Sequence, residues 1–349
     1  MVRVLHRGEY YLSMSVPRFL HVTNGTSLTM SMEAARMPGL RSIWADPLYE
    51  GPVPAGLSDE ELVDVRRRYL AGPSGSLDVD PVIDLKEWRH IIQRHDSYDE
   101  LVLWFEHDLF DQLNLIQLLT WVRGRIPAST MVSLICIGSF PGRPHFKGLG
   151  ELAPHEVASL LDTRQPVTEA QYELAERAWL AFREPSPEPL NDLCRAIKAS
   201  DRDTSALPYL ANSLVRFLQE YPWTTDGLSR TERSLLRLAE AGDVTLSAVF
   251  TRMHDGEEAY YVTDLSLGAL AESLSHLRPP LLTRIPEKAL TFELRHTSVT
   301  ITDAGRAVLR SEQDRVSLCG TDRWLGGVHL EGSANLWRWD DRSRQVTFA

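Results

Sequence analysis

Between Arg18 and Ile137 the chain alternates short, nearly unbroken apolar runs with stretches of helical period, and that alternation admits few folds. The apolar runs are Arg18 to Thr23, Leu40 to Ala45, Leu101 to Phe105 and Met131 to Ile137. A strand that is apolar on both faces must be covered on both, which points to a parallel sheet with helices on either side. The segments between supply those helices. Leu28 to Arg36 suggests one, Ser58 opens another through a capping box with Glu61, and Asp84 to His95 and Leu109 to Arg123 follow. Right-handed crossovers bring all four strand ends to one edge, where open α/β sheets hold their ligands. The expected fold class is therefore α/β, with a Rossmann-like, mostly parallel sheet over residues 1–150.

Four segments meet at that edge: Asn24 to Ser27, Asp46 to Gly51, Glu106 to Asp108 and Gly138-Ser139. The sharpest is Glu106-His107-Asp108, where a buried strand ends abruptly in charge. Such groups are costly near a core unless they are paired, metal-bound or used. Glu106 and Asp108, with His107, are candidate catalytic residues: general acids or bases, or metal ligands together with Asp46 or Glu50. Alternation along a strand points Glu106 and Asp108 one way and His107 the other. The plainer alternative is that Asp108 caps the next helix while Glu106 pairs with an arginine such as Arg143. Asp111, in the first helical turn, suits either the crevice or the helix dipole.

Asn24, Gly25, Thr26 and Ser27 stand at a strand-to-helix turn, where free N–H groups can hold an anion. They lack both the GxGxxG fingerprint and the P-loop lysine, so no dinucleotide or Walker-type site is indicated. They serve equally as a tight turn with Thr26 or Ser27 as N-cap. Ser139 and Arg143, with His145 and Lys147, lie in a polar loop after the fourth strand and could grip a phosphorylated ligand. Cofactor and metal stay unknown: Cys136, Cys194 and Cys319 form no CxxC pair.

The formal charge of −11 argues against a broad grip on nucleic acid. The apolar runs are too short to span a bilayer, and Met1 to Val16 lacks a sustained apolar core, so no membrane partner and a cytoplasmic setting are expected. Residues 151–225 read as a helical connector. Residues 226–349 begin with a helix capped by Ser229, then another within Thr263 to Leu277, then strand, strand and helix over Ala289 to Leu294, Ser298 to Thr302 and Asp303 to Leu309. That order resembles winged-helix domains, an α+β arrangement, and a β-hairpin bearing Trp324, Trp337 and Trp339 follows it. Arg230, Arg233 and Arg237 share helical spacing, but Glu232 and Glu240 accompany them, which suits a mixed solvated face.

Four further stretches are His21-Val22-Thr23-Asn24-Gly25-Thr26-Ser27, Tyr49-Glu50-Gly51-Pro52-Val53-Pro54, Trp104-Phe105-Glu106-His107-Asp108 and Gly148-Leu149-Gly150-Glu151-Leu152. With the Gly-Gly and Trp-Arg-Trp-Asp of the tail, they resemble a bacterial family catalogued as domain of unknown function 1835. That family usually carries an acidic residue where this chain has Thr26. The resemblance implies a domain and no activity. The function expected from the residues is binding of, or action on, a phosphorylated small molecule or nucleotide at the strand-end crevice. The alternative is a ligand-responsive regulator that binds nucleic acid or protein through its winged-helix-like domain.

Overall fold

The computed structural model describes residues 18–71, 84–259, 262–286 and 294–349. The reading of Met1 to Val16, the loop Gly72 to Ser76 and all but the last residue of the strand expected over Ala289 to Leu294 lie outside these residues.

The first region contains β1 (Phe19–Thr23), α1 (Thr26–Ala34), β2 (Leu40–Ile43), the two-residue β3 (Gly51–Pro52), α2 (Asp59–Leu70), α3 (Leu85–Gln93), β4 (Glu100–Glu106), α4 (Leu109–Val122) and β5 (Met131–Ile137). After α5 (Pro154–Leu160) comes a short β6 (Gln165–Pro166). These strands build a five-stranded sheet in the order β2-β1-β4-β5-β6. Every pairing is parallel except that of the edge strand β6. One face carries Leu20, Val22, Leu101, Leu103 and Phe105 into the main core. The other carries Phe19, Val102, Trp104 and Ile135 against Leu28 and Met32 of α1 and Val157 and Leu160 of α5. β4 is buried along its whole length, as an unbroken apolar run requires.

The helical stretch follows as α6 (Glu169–Arg183), α7 (Glu188–Lys198), α8 (Asp201–Ala206) and α9 (Leu210–Leu218). Beyond it lie α10 (Arg230–Ala239), β7 (Val244–Thr245), α11 (Leu246–Gly256), α12 (Asp264–His276), β8 (Leu282–Ile285), β9 (Ser298–Ile301), α13 (Asp303–Leu309) and α14 (Arg315–Cys319). The strands β7, β9 and β8 form one antiparallel sheet. Ser229 caps α10 with a full capping box to Glu232, as its spacing predicts.

The tail forms two hairpins: β10 (Thr321–Gly326) with β11 (Val328–Gly332), and β12 (Trp337–Asp340) with β13 (Gln345–Phe348). The first returns to the α/β region, where β10 pairs in parallel with β3 through Leu325↔Gly51 and Gly326↔Pro52. The second leans on α7, whose Asn191 amide donates to the Val346 carbonyl and accepts from its N–H. One continuous group of buried side chains runs through all three stretches, from Leu20 to Val346. No helix among the described residues is long and apolar enough to cross a membrane.

Candidate active site at the sheet switch point

The chain leaves β1, forms β2 on one side, then crosses over to place β4 on the other. The switch point therefore falls between the carboxyl ends of β1 and β4, the position where doubly wound sheets open a crevice. Asn24 follows the last residue of β1, and Glu106 is the last residue of β4. Below them His21 is fixed in a neutral form. Trp104 donates its indole N–H to His21 Nδ1 at 3.1 Å, which leaves Nε2 to donate to the Pro38 carbonyl at 3.0 Å. Burial pushes this imidazole's pKa down.

The Asn24 side-chain amide donates one hydrogen to Glu106 Oε1 at 2.7 Å and the other to Asp111 Oδ1 at 2.8 Å. Asp111 Oδ2 accepts the backbone N–H of Glu106 at 2.6 Å. The Leu149 N–H donates to Glu106 Oε2. Gly148 makes that approach possible: a Cβ there would lie 2.5 Å from Glu106 Oε2. Asp108 caps α4, accepting from the Asp111 N–H at 2.8 Å. Gln112 holds the strand end by donating to the Glu106 carbonyl at 2.7 Å.

Three carboxyls thus gather where β4 ends and α4 begins, and among the described residues none of them has an ion-pair partner. Burial, and then the nearby Asp108 charge, pushes Glu106 up to about 8. Burial pushes Asp108 up to about 7. Asp111 is raised by burial and by both neighbours. Such a corner keeps protons near neutral pH because desolvation and like charge both disfavour the ionised forms. Among the described residues no group of three or more His, Cys, Asp or Glu side chains could hold a metal ion.

The other expected site residues are distributed differently. Asp46 is a correction: Arg66 grips both its carboxylate oxygens, at 2.7–3.1 Å, and both side chains are fully buried. Arg66 also donates to the carbonyls of Glu50 and Pro47, which staples the loop after β2. Asn114 of α4 holds the Asp46 backbone from the other side. Asp46 is therefore held in a buried ion pair that fixes this loop. Glu50 lines a separate cleft with Tyr69, Leu270 and Trp324. Arg143 pairs with Glu156 at 2.7 Å, so the alternative in which it pairs with Glu106 is a second correction. Ser139 is exposed on its loop. His107 turns away from Glu106, as strand alternation requires, and packs beside Phe146 and Tyr209.

Thr26 and Ser27 do not cap α1. The N-cap is Gly25, which offers no side-chain acceptor, and both hydroxyl residues are exposed in the first turn. Arg230 and Arg233 are tied to Glu257 and Asp226. Of the tail aromatics, Trp339 is fully buried, Trp337 packs on Phe348 and Trp324 stacks on His329.

Asp111 as a bridging acid, Gln112 and Asn114 as struts and Arg66 as a clamp carry more of this architecture than their sequence context suggests. The available signal was polarity in the wrong place. Arg66 falls on the Leu62-Val63 face of α2, and Gln112 and Asn114 interrupt the apolar α4. Buried polar side chains at apolar positions must have partners. No family model and no curated protein matches this chain.

Proposed function

We propose that the chain binds a phosphorylated small molecule, of the nucleotide class, in the crevice between β1 and β4, and that the Glu106–Asp108 corner performs acid–base work on it. The observation that carries this reading is the Asn24 amide bridging Glu106 and Asp111 at the switch point without a cation. Carboxyls raised to about 8 and about 7 exchange protons near neutral pH, which is what general acid–base chemistry asks of them. Asp108, the less enclosed of the pair, is the group that exchanges with ligand. The first turn of α1 supports the phosphate. Its N–H groups have no side-chain cap, and exposed Thr26 and Ser27 hydroxyls flank them. The resemblance to domain of unknown function 1835 carries no chemistry into this reading.

The test is a thermal-shift survey of the full chain against nucleotides, sugar phosphates and divalent ions, repeated with Asp108→Asn and Glu106→Gln. A specific ligand raises the melting temperature by mass action. The expected result is a shift with a phosphorylated compound that both variants lose while remaining folded. A shift that survives in both variants would remove the corner from the reading.

The regulator reading draws on one observation, the order α10-β7-α11-α12-β8-β9 with its antiparallel sheet, which supports the winged-helix resemblance. Nucleic acid is disfavoured as the partner. α12, the third helix of that order and so the recognition helix in this reading, carries Asp264 and Glu272 and no Lys or Arg. Phosphate contacts would be scarce there. Random duplex should bind the full chain weakly at physiological salt, and tight salt-sensitive binding would promote the regulator reading.

A further inference from the structure

The chain is acidic, with a formal charge of −11, yet one cleft is lined mainly by cations. It measures about 420 Å³ and lies beside His107, among α7, α9, α10 and the turn that joins β12 to β13. His107 directly follows β4, so the cleft adjoins the carboxyl edge of the parallel sheet, where such folds take their ligands. None of Asn24, Thr26, Ser27, Glu106 or Asp108 lines it.

Four cationic side chains from four separate elements line the cleft: Lys198, Arg216, Arg230 and Arg344. The acids among its lining residues are Glu257 and Glu258. Glu257 is already shared, since Arg216 reaches it at 3.3 Å and Arg230 at 2.6 Å. Arg216 is buried and also pairs with Glu220, which fixes it as part of the wall. Lys198 and Arg344 have no ion-pair partner among the described residues, and Glu258 is the single lining acid left to oppose them. Positive charge is therefore in excess, and the Asn212 amide and Tyr209 hydroxyl add neutral donors to the lining.

Arg344 carries a second observation. Its φ of 53° lies in the left-handed region, which favours glycine or asparagine. The turn does not need the arginine side chain, because the Asp340 carboxylate accepts the N–H groups of Arg342 and Ser343. The guanidinium makes no hydrogen bond among the described residues. Contact between this hairpin and α7, where Arg195 donates to Gln345 Oε1 at 3.0 Å, brings Arg344 to the cleft that Lys198 lines. A strained residue whose side chain does nothing for the fold points to a task for that side chain.

We propose that this cleft binds a phosphate group, free or carried by a small molecule, with Arg344 and Lys198 as its counter-charges. A phosphate dianion answers the excess charge, and the guanidinium fork of Arg344 can hold two of its oxygens. The site is separate from the first turn of α1 and stands whether or not the switch-point crevice binds a ligand.

The experiment is calorimetric titration of the full chain at fixed ionic strength with inorganic phosphate and glycerol 3-phosphate, with succinate and putrescine as controls. At least one phosphate compound should bind saturably and more tightly than succinate. Tighter binding of glycerol 3-phosphate than of phosphate would assign the group to a small molecule, and the reverse order to the free ion. Arg344→Gly relieves the left-handed residue, so its melting temperature should not fall, while its affinity should drop by about tenfold or more. Lys198→Gln, at an exposed helix end, should weaken binding in the same direction. The proposal is overturned if neither phosphate compound binds saturably, or if succinate or putrescine binds as tightly. It is equally overturned if binding is unchanged in Arg344→Gly and Lys198→Gln. Loss of phosphate binding in Asp108→Asn but not in Arg344→Gly would place the phosphate in the crevice and overturn this site too.

Discussion

At the scale of single residues, Glu106 and Asp46 are both buried acids at strand ends, and their partners separate them. Asp46 has an arginine on both oxygens; Glu106 has only neutral donors. This difference makes opposite predictions. Removing Arg66 leaves Asp46 buried and uncompensated, so Arg66→Met should destabilise by roughly 3–5 kcal/mol in chemical denaturation. Arg66→Lys should not rescue it, because an ammonium cannot reproduce the two-oxygen grip. For Glu106 the native state holds its proton more tightly than the unfolded chain. The stabilising contribution is complete below the ordinary carboxyl pKa and fades as pH rises through about 8. Stability should therefore fall between about pH 5 and pH 8, and Glu106→Gln should flatten that slope. The amide has one oxygen for two donors, Asn24 and Leu149, so the variant should start roughly 1–3 kcal/mol less stable at pH 5. Denaturation midpoints across this range decide the matter, and parallel slopes would sink the assignment. The carboxyls were legible in the sequence because charge broke an apolar run. Their partners were not, since Arg66 and Asp46 are twenty positions apart on different elements.

At the scale of elements, the long ones were readable and the short ones were not. The four apolar strands and the capping boxes at Ser58 and Ser229 follow from local pattern. β3, β6 and β7, two residues each, exist because a distant partner pairs with them, and no local pattern encodes that. The start of α1 shows the same limit: Thr26 and Ser27 have cap chemistry, yet the turn places Gly25 at the cap position. The loop after β5 has its own constraint at Gly148. Its φ of 168° is extended and open to any residue, so the requirement for glycine is one of space beside Glu106. Gly148→Ala should therefore lower the melting temperature, with a cost on the order of 1–3 kcal/mol from overpacking. Glu106→Ala removes the obstructing carboxyl, so the double variant should be less destabilised than the sum of the singles. Strict additivity would show that the loop and the acid do not meet.

At the scale of the whole molecule, the sequence divides at residues 150 and 225, whereas the core does not. Buried side chains are continuous from the sheet through the helical stretch to the last hairpin. The motifs that stand out in the sequence are the joints. Gly326 and Gly327 lie against the backbone of Phe182 and Arg183, where a Cβ on Gly327 would come within 1.8 Å of the Arg183 carbonyl oxygen. The Gly326 carbonyl accepts from the Val53 N–H at 2.8 Å, and the Gly327 N–H donates to the Phe182 carbonyl at 3.1 Å. The Arg183 guanidinium in turn donates to the Pro54 carbonyl. This junction ties the tail, the end of α6 and the loop carrying Glu50 into one unit, so it also shapes the cleft beside Glu50. Two consequences follow for unfolding. The wild-type chain should melt in a single calorimetric transition, because its regions share buried surface and cannot open independently at low cost. Gly327→Val should force the tail off the α6 end, losing both hydrogen bonds and the packing beneath them. A destabilisation of roughly 2–4 kcal/mol is expected, together with separation of the transition into two. If wild type already melts in two steps, or if Gly327→Val melts as wild type does, the tail is an appendage and the cavity beside Glu50 has no fixed wall.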